Sequence, residues 1–387
     1  MQGAGRTMTD STVQSRSSRL PFRAAMPFWL SLLMIPLVLS AAVIGGFWVL
    51  VPIIATWGVF ATLDAALGLD TDSLDPNTKE SALYWHRMIT LIWAPLQFAM
   101  IFGLVWYLPR ADHLGLIETY FITVGMGVLS GSVGIVYAHE LMHQRNKLER
   151  WLGDLLMGMA LYGHFRSEHL LVHHRYVGTP RDPVTARYNE SFWRFYPRVV
   201  KGCLLSSFKA ERDMLARKNL PWWHTSNPFW RYWSLQLVFL VLAFALGGSL
   251  GVLVFVLQAM SAIFQLELVN YVEHYGLTRK YLGDGKYEHV KPRHSWNASH
   301  KASNWFLINL QRHSDHHYKP DRRFPLLQTY DEDEAPQLPY GYPVMTFFAL
   351  FPRKWRAMMN PRVKAWREMY YPEITDWSAY NKARHGL

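Results

Sequence analysis

The chain has 387 residues, half of them hydrophobic, with a formal charge of +11 and one cysteine, Cys203. A single cysteine excludes an internal disulfide, a four-cysteine zinc or rubredoxin-type site and an iron–sulfur cluster, so any redox partner is a separate molecule. The positive charge and 17 tryptophans do not point to nucleic acid, because the basic residues flank long apolar runs, as in the loops of membrane proteins.

The mean hydropathy of −0.03 averages an apolar first third against a polar, basic and aromatic remainder. Residues 1–25, rich in Ser, Thr, Gly and Arg up to Leu20, are expected to form a disordered cytoplasmic tail. Residues 26–387 then form a single domain, part transmembrane and part cytoplasmic. From Pro27 to Leu69 the chain stays apolar for more than one bilayer crossing, with Gly45-Gly46 as the break between two spans. That length also argues against a cleaved signal peptide ending near Ala41-Ala42. The predicted spans lie near 27–46, 47–69, 88–107, 114–138, 230–246 and 250–269, the last two separated by Gly247-Gly248-Ser249. The expected fold is therefore an all-α membrane protein with six transmembrane helices and a cytoplasmic, histidine-rich cap.

An even number of spans returns both termini to one side, which the basic residues mark as cytoplasmic, hence an inner-membrane protein. Arg145, Lys147, Arg150, Arg166, Arg175, Arg181, Arg187, Lys209, Arg217 and Lys218 lie in one long loop, whereas the opposite turns carry little besides Arg110. Trp193, Trp222, Trp223, Trp230 and Trp233 cluster near predicted membrane ends, where headgroups favour amphipathic rings.

Of 17 histidines, most concentrate outside the apolar runs. The fourth span ends in HELMH, whose His139 and His143 share a helix face at i, i+4 spacing. In EHLLVHH, His169 and His173 repeat that spacing, and His174 is expected to point elsewhere. His274 follows the sixth span, and LQRHSDHH adds His313, His316 and His317. Nine imidazoles exceed what one metal binds, and two metals fit the count; imidazole alone does not choose among zinc, copper, iron and nickel. Neutral ligands leave metal charge uncompensated, so Glu140, Glu168, Asp182, Glu273 and Asp315, beside the cluster histidines, are expected to accept their remaining ring N–H groups. His164, His294 and His300 stay outside this set, and His86, His113, His224, His289 and His385, with no cluster partners, are expected to be structural or solvated.

The segments HELMH, EHLLVHH, NYVEHYGL and LQRHSDHH resemble the histidine boxes of the membrane alkane 1-monooxygenase family, related to fatty-acid desaturases and xylene monooxygenase. The resemblance continues through Tyr162 to Phe165, Tyr287 to His289, Lys291-Pro292, His294 to Asn297 and Leu338 to Pro343. It implies a six-helix membrane fold, two non-haem irons held by the nine histidines, and dioxygen as co-substrate. It further implies an apolar substrate drawn from the membrane lipid, most simply an alkane hydroxylated at its terminal methyl. Electrons would come from rubredoxin and its reductase. Two positions depart from the family pattern, which commonly has glycine where this chain has Met142 and Val172, and both bear on the substrate pocket.

Related alternatives are a membrane desaturase, which releases an alkene, and a xylene-type hydroxylase. HELMH alone also fits a membrane zinc protease with Glu140 as general base, but that leaves the other boxes idle. A metal transporter or storage protein needs ionisable groups at mid-depth, and the spans nearly lack them.

Overall fold

The computed structural model describes residues 19–383; most of the predicted tail and His385 lie outside the described residues. The described residues are mostly helical, and helix begins at Phe22, within the predicted tail. The first two apolar helices are α1 (Phe22–Ile44) and α2 (Gly46–Leu67). They part at Gly45 and Gly46, whose φ values of 69° and 57° are readily adopted only by glycine. α3 (Glu80–Arg110) and α4 (Leu116–His143) follow, then the polar α5 (Lys147–Met159), capped by the Asn146 side chain. Residues 165–176 form α6, and α7 spans Phe192–Ala216.

Among the described residues, five helices are long and apolar enough to cross a membrane, the last being α8 (Phe229–His274) with 46 residues. At about 1.5 Å per residue a straight helix of that size would span roughly 70 Å, far beyond one bilayer. It is not straight: at Gly248 the backbone leaves helical geometry (φ 60°). A Cβ on Gly251 would lie only 2.6 Å from the Ala243 carbonyl oxygen, so the chain reverses there. α8 thus holds both of the last two predicted spans as a helical hairpin.

The remaining elements belong to the cap. A two-stranded antiparallel ribbon, β1 (Tyr281–Gly283) with β2 (Lys286–Tyr287), precedes α9 (Lys301–Phe306) and α10 (His313–Tyr318). Then come α11 (Tyr342–Ala349), α12 (Pro352–Tyr370) and α13 (Ser378–Asn381).

α4 is the central helix: 89% of its apolar window is buried, against 17% for α2. It crosses the second leg of α8 at Gly127 and Gly131, a small-xxx-small pair. A Cβ on Gly131 would meet the Ala262 carbonyl oxygen at 2.7 Å, so only glycine allows this approach. Gly127 meets Gln258 and Gly131 meets Ala262, so the two segments run parallel with nearly constant offset. Extending that register by three turns brings the end of α4, with His139 and His143, level with His274 at the end of α8. The two helices deliver their histidines to one end of the bundle, where the cap meets them.

Candidate metal centre

The nine cluster histidines fall into two groups of mutually close ring nitrogens. One holds His139, His143, His169, His174 and His316, the other His173, His274, His313 and His317, each with donor atoms within 4.8 Å of one another. In the first, the Nε2 atoms run from His143 to His169 (3.0 Å), to His174 (2.9 Å) and to His316 (3.1 Å). In the second they run from His173 to His317 (3.2 Å), to His313 (3.0 Å) and to His274 (3.2 Å). Nitrogens bound at about 2.1 Å to one metal and at right angles to each other stand about 3 Å apart. The donor set therefore fits a centre of two metal ions, one beside five imidazoles and one beside four.

The pairing within α6 differs from the one expected. His169 and His173 were expected to face one metal as an i, i+4 pair. Instead residues His169–His173 form a π turn, which widens the helix so that the i+5 residue, His174, aligns with His169. His173 is thereby turned to the second group. α10 is an ordinary helical turn, so His313 and His317 do pair at i, i+4, while His316 joins the first group. α6 and α10 each contribute to both groups. α4 has a second π turn, Ser130–Gly134, just before its histidines.

Burial, and then the charge of neighbouring imidazoles, holds His169, His174, His316 and His317 well below the usual histidine range, which keeps them neutral and able to ligate. Of the five carboxylates, Asp182 lies against a cluster histidine. Its Oδ2 accepts from Nδ1–H of His173 at 3.0 Å and from the Thr185 hydroxyl at 2.7 Å, while Oδ1 accepts from the Val184 amide at 2.9 Å. Glu273 does not reach its neighbour His274; its Oε2 lies 3.3 Å from Nε2 of His313, and its Oε1 accepts from the Tyr342 hydroxyl at 2.9 Å. It stands on the metal side of the rings.

Glu140 and Asp315 have other partners. Glu140 accepts from Gln144 at 3.0 Å and from the Phe324 amide at 3.2 Å, with Arg323 at 3.6 Å. Asp315 accepts from Arg322 (2.5 Å), Tyr330 (2.8 Å) and the Gln328 amide (3.0 Å). Both brace the loop after α10. The reason is helical direction: a residue next to a metal-facing histidine points about 100° away and cannot reach the same ring. Glu168 is fully buried, and neither of its oxygens has a hydrogen-bond partner among the described residues. Burial, reinforced by Asp182 and Glu267, pushes its carboxyl well above the usual range.

His164 and His294 belong to neither group. His294 bonds the Tyr371 hydroxyl at 2.7 Å, and His164 packs on Tyr162 with ring centroids 4.5 Å apart. Sequence reasoning assigned no role to Tyr342 or Arg323. Tyr342 lay within a segment already carrying the family resemblance, but the contact with Glu273 is purely tertiary. Arg323 joins the buried Glu149 at 2.9 Å to Glu140 and Glu80, tying α4, α5 and the loop after α10.

A cleft between α2, α4, α8 and α11 leads to the histidines. Ile135, Val136, Leu266, Val269, Phe306, Leu307 and Pro343 form much of its wall, and His139 and His169 from one group and His313 from the other line it too. On another side, a broad polar basin lined by Arg87, Arg145, Lys319, Arg322 and Arg323, with Glu80 and Asp321 among them, extends to His143.

Residues 115–349 match the family model described as fatty acid desaturase. "Alkane 1-monooxygenase 2" of Pseudomonas aeruginosa is 36% identical over 333 residues, covering 85% of this chain and 87% of that protein. "Alkane 1-monooxygenase 2" of Alcanivorax borkumensis is 34% identical over 362 residues, covering 89% and 91%. The xylene/toluene monooxygenase hydroxylase component of Pseudomonas putida is 27% identical over 348 residues, covering 87% and 89%.

Proposed function

Because the chain belongs to the alkane 1-monooxygenase family, we propose that this integral membrane oxidoreductase hydroxylates the terminal methyl of an alkane at a centre of two iron ions. The observation that carries this reading is the cleft: a mostly apolar passage between membrane helices that ends on histidines of both groups, His139 and His169 on one side and His313 on the other.

An alkane has no polar handle, so binding rests on apolar burial, at about 0.8 kcal/mol per methylene. Ile135, Val136, Leu266 and Val269 supply that surface on α4 and α8 and admit a chain end-on. When bound, the two irons supply the activation of dioxygen that no side chain here provides. His139, His143, His169, His174 and His316 hold one, and His173, His274, His313 and His317 the other. Asp182 fixes the His173 ring with Nε2 inward. Glu273, anchored by Tyr342, offers a carboxylate where substrate cleft and metal site meet, offsetting the charge of all-imidazole sites. The apolar wall keeps bulk water from the reacting methyl.

Dioxygen reduction needs electrons that one cysteine cannot relay, and rubredoxin with its reductase is the donor we propose. The mainly cationic basin beside His143 suits an acidic protein, with association that weakens as salt rises. In this reading the histidine end and both termini face the cytoplasm, and the chain lies in the inner membrane. Metal analysis of the purified chain tests the reading: about two irons per chain are expected, whereas a single zinc and no iron would overturn it.

A further inference from the structure

Besides Nε2 of His139 and Nδ1 of His313, three polar atoms lining the cleft are buried and bond to nothing among the described residues: Nε1 of Trp57, Oγ of Ser132 and Oε1 of Gln265. Ser132 is 3% exposed and Gln265 5%. A buried hydroxyl within a helix ordinarily donates to the carbonyl one turn back. Nearby hydroxyls do so: Thr56 to Pro52 at 2.9 Å, Ser130 to Met126 at 2.9 Å and Thr346 to Tyr342 at 2.7 Å. Ser132 does not, although it lies in the same π turn as Ser130. Three helices thus each present a partnerless polar atom to one largely apolar passage, an arrangement that costs stability unless a ligand completes it.

Their depth is set by the helices that carry them. Ser132 precedes His139 by seven residues and Gln265 precedes His274 by nine, which is roughly 10–14 Å along the axes. An extended chain of single bonds advances roughly 1.2 Å per bond, so this distance matches about ten bonds. The chemistry of the three atoms differs. Gln265 Oε1 only accepts, Trp57 Nε1 only donates, and Ser132 does either. A hydroxyl satisfies all three. An ester leaves Gln265 without a donor, and a carboxylate buries a charge with no cation among the cleft residues.

We propose that Trp57, Ser132 and Gln265 form a hydroxyl subsite that binds a medium-chain primary alcohol, hydroxyl at these groups and far methyl at the histidines. The proposal rests on the hydroxylase reading and extends its substrate class from plain alkanes to their own first products. In that orientation a methyl C–H bond breaks and a C–O bond forms. One atom of dioxygen enters the resulting diol; the other leaves as water, with two protons and with two electrons from the protein electron donor. The alcohol formed from an alkane is thereby taken up again from its opposite end.

The test is equilibrium binding of decanol and of decane to the metal-loaded chain in lipid nanodiscs, comparing the parent with the Ser132→Ala/Gln265→Met variant. The variant is expected to bind decanol about ten-fold more weakly, as two lost hydrogen bonds dictate, with decane affinity within about two-fold of the parent. Should the pair also lose decane, Ser132→Ala alone decides, since the oxygen it removes bonds no protein group; about a three-fold loss for decanol is expected. Equal decanol affinity in parent and variant would overturn the subsite. Binding is read without turnover, so failure of the parent to hydroxylate decane would sink the functional reading and leave this comparison standing.

Discussion

His169 and His174 stand five residues apart, yet their Nε2 atoms are 2.9 Å from one another. The π turn between them produces this, and it places His173 in the other group. Adding one residue to the turn, by inserting an alanine after Leu171, rotates His173 and His174 by about 100° relative to His169. Both groups then lose a ligand at once. Iron content is expected to fall by more than half while the protein still inserts, whereas Leu171→Ala keeps the turn and most of the iron. An insertion variant with the full iron load would show that the turn does not sort the histidines.

Asp182 and Glu140 separate two kinds of carboxylate. Asp182→Asn keeps an acceptor but loses the charge beside His173, and a loss of about 10- to 100-fold in activity or metal affinity is expected. Glu140→Gln acts only through the loop after α10, so its iron content should match the parent. Iron titration of both variants in detergent checks this, and equal behaviour of the two would remove the distinction.

How much of this was legible before the structure differs by feature. The membrane helices and their breaks were, because Gly45-Gly46 and Gly247-Gly248-Ser249 interrupt long apolar runs. The nine histidines were also singled out, because imidazoles at one-turn spacing stand out beside those runs. Their sorting was not, since α-helical periodicity cannot anticipate a π turn, and nothing in EHLLVHH signals one. Partners of Glu140, Asp315 and Glu273 were missed for a different reason. Sequence adjacency suggested neighbouring histidines, whereas Arg323, Arg322 and Tyr342 reach them from distant segments.

Arg323 holds Glu149, which is fully buried, together with Glu140 and the exposed Glu80. Arg323→Met leaves Glu149 with Arg87 as its remaining cation. Breaking such a buried pair by removing one partner costs about 3–5 kcal/mol. The variant is therefore expected to unfold at a markedly lower temperature and to lose iron together with the cap loop. Thermal denaturation in nanodiscs reads this directly; an unchanged midpoint would mean that Arg87 alone holds Glu149.

The central claim is that the chain inserts one atom of dioxygen into the terminal methyl of an alkane. It is tested most directly by supplying the iron-loaded chain with octane, rubredoxin, reductase, NADH and isotopically labelled dioxygen, then identifying the product by mass spectrometry. The account predicts octanol hydroxylated at the terminal carbon and carrying one labelled oxygen. Octene without incorporated oxygen, or no product despite a full iron load and reduced rubredoxin, would contradict it.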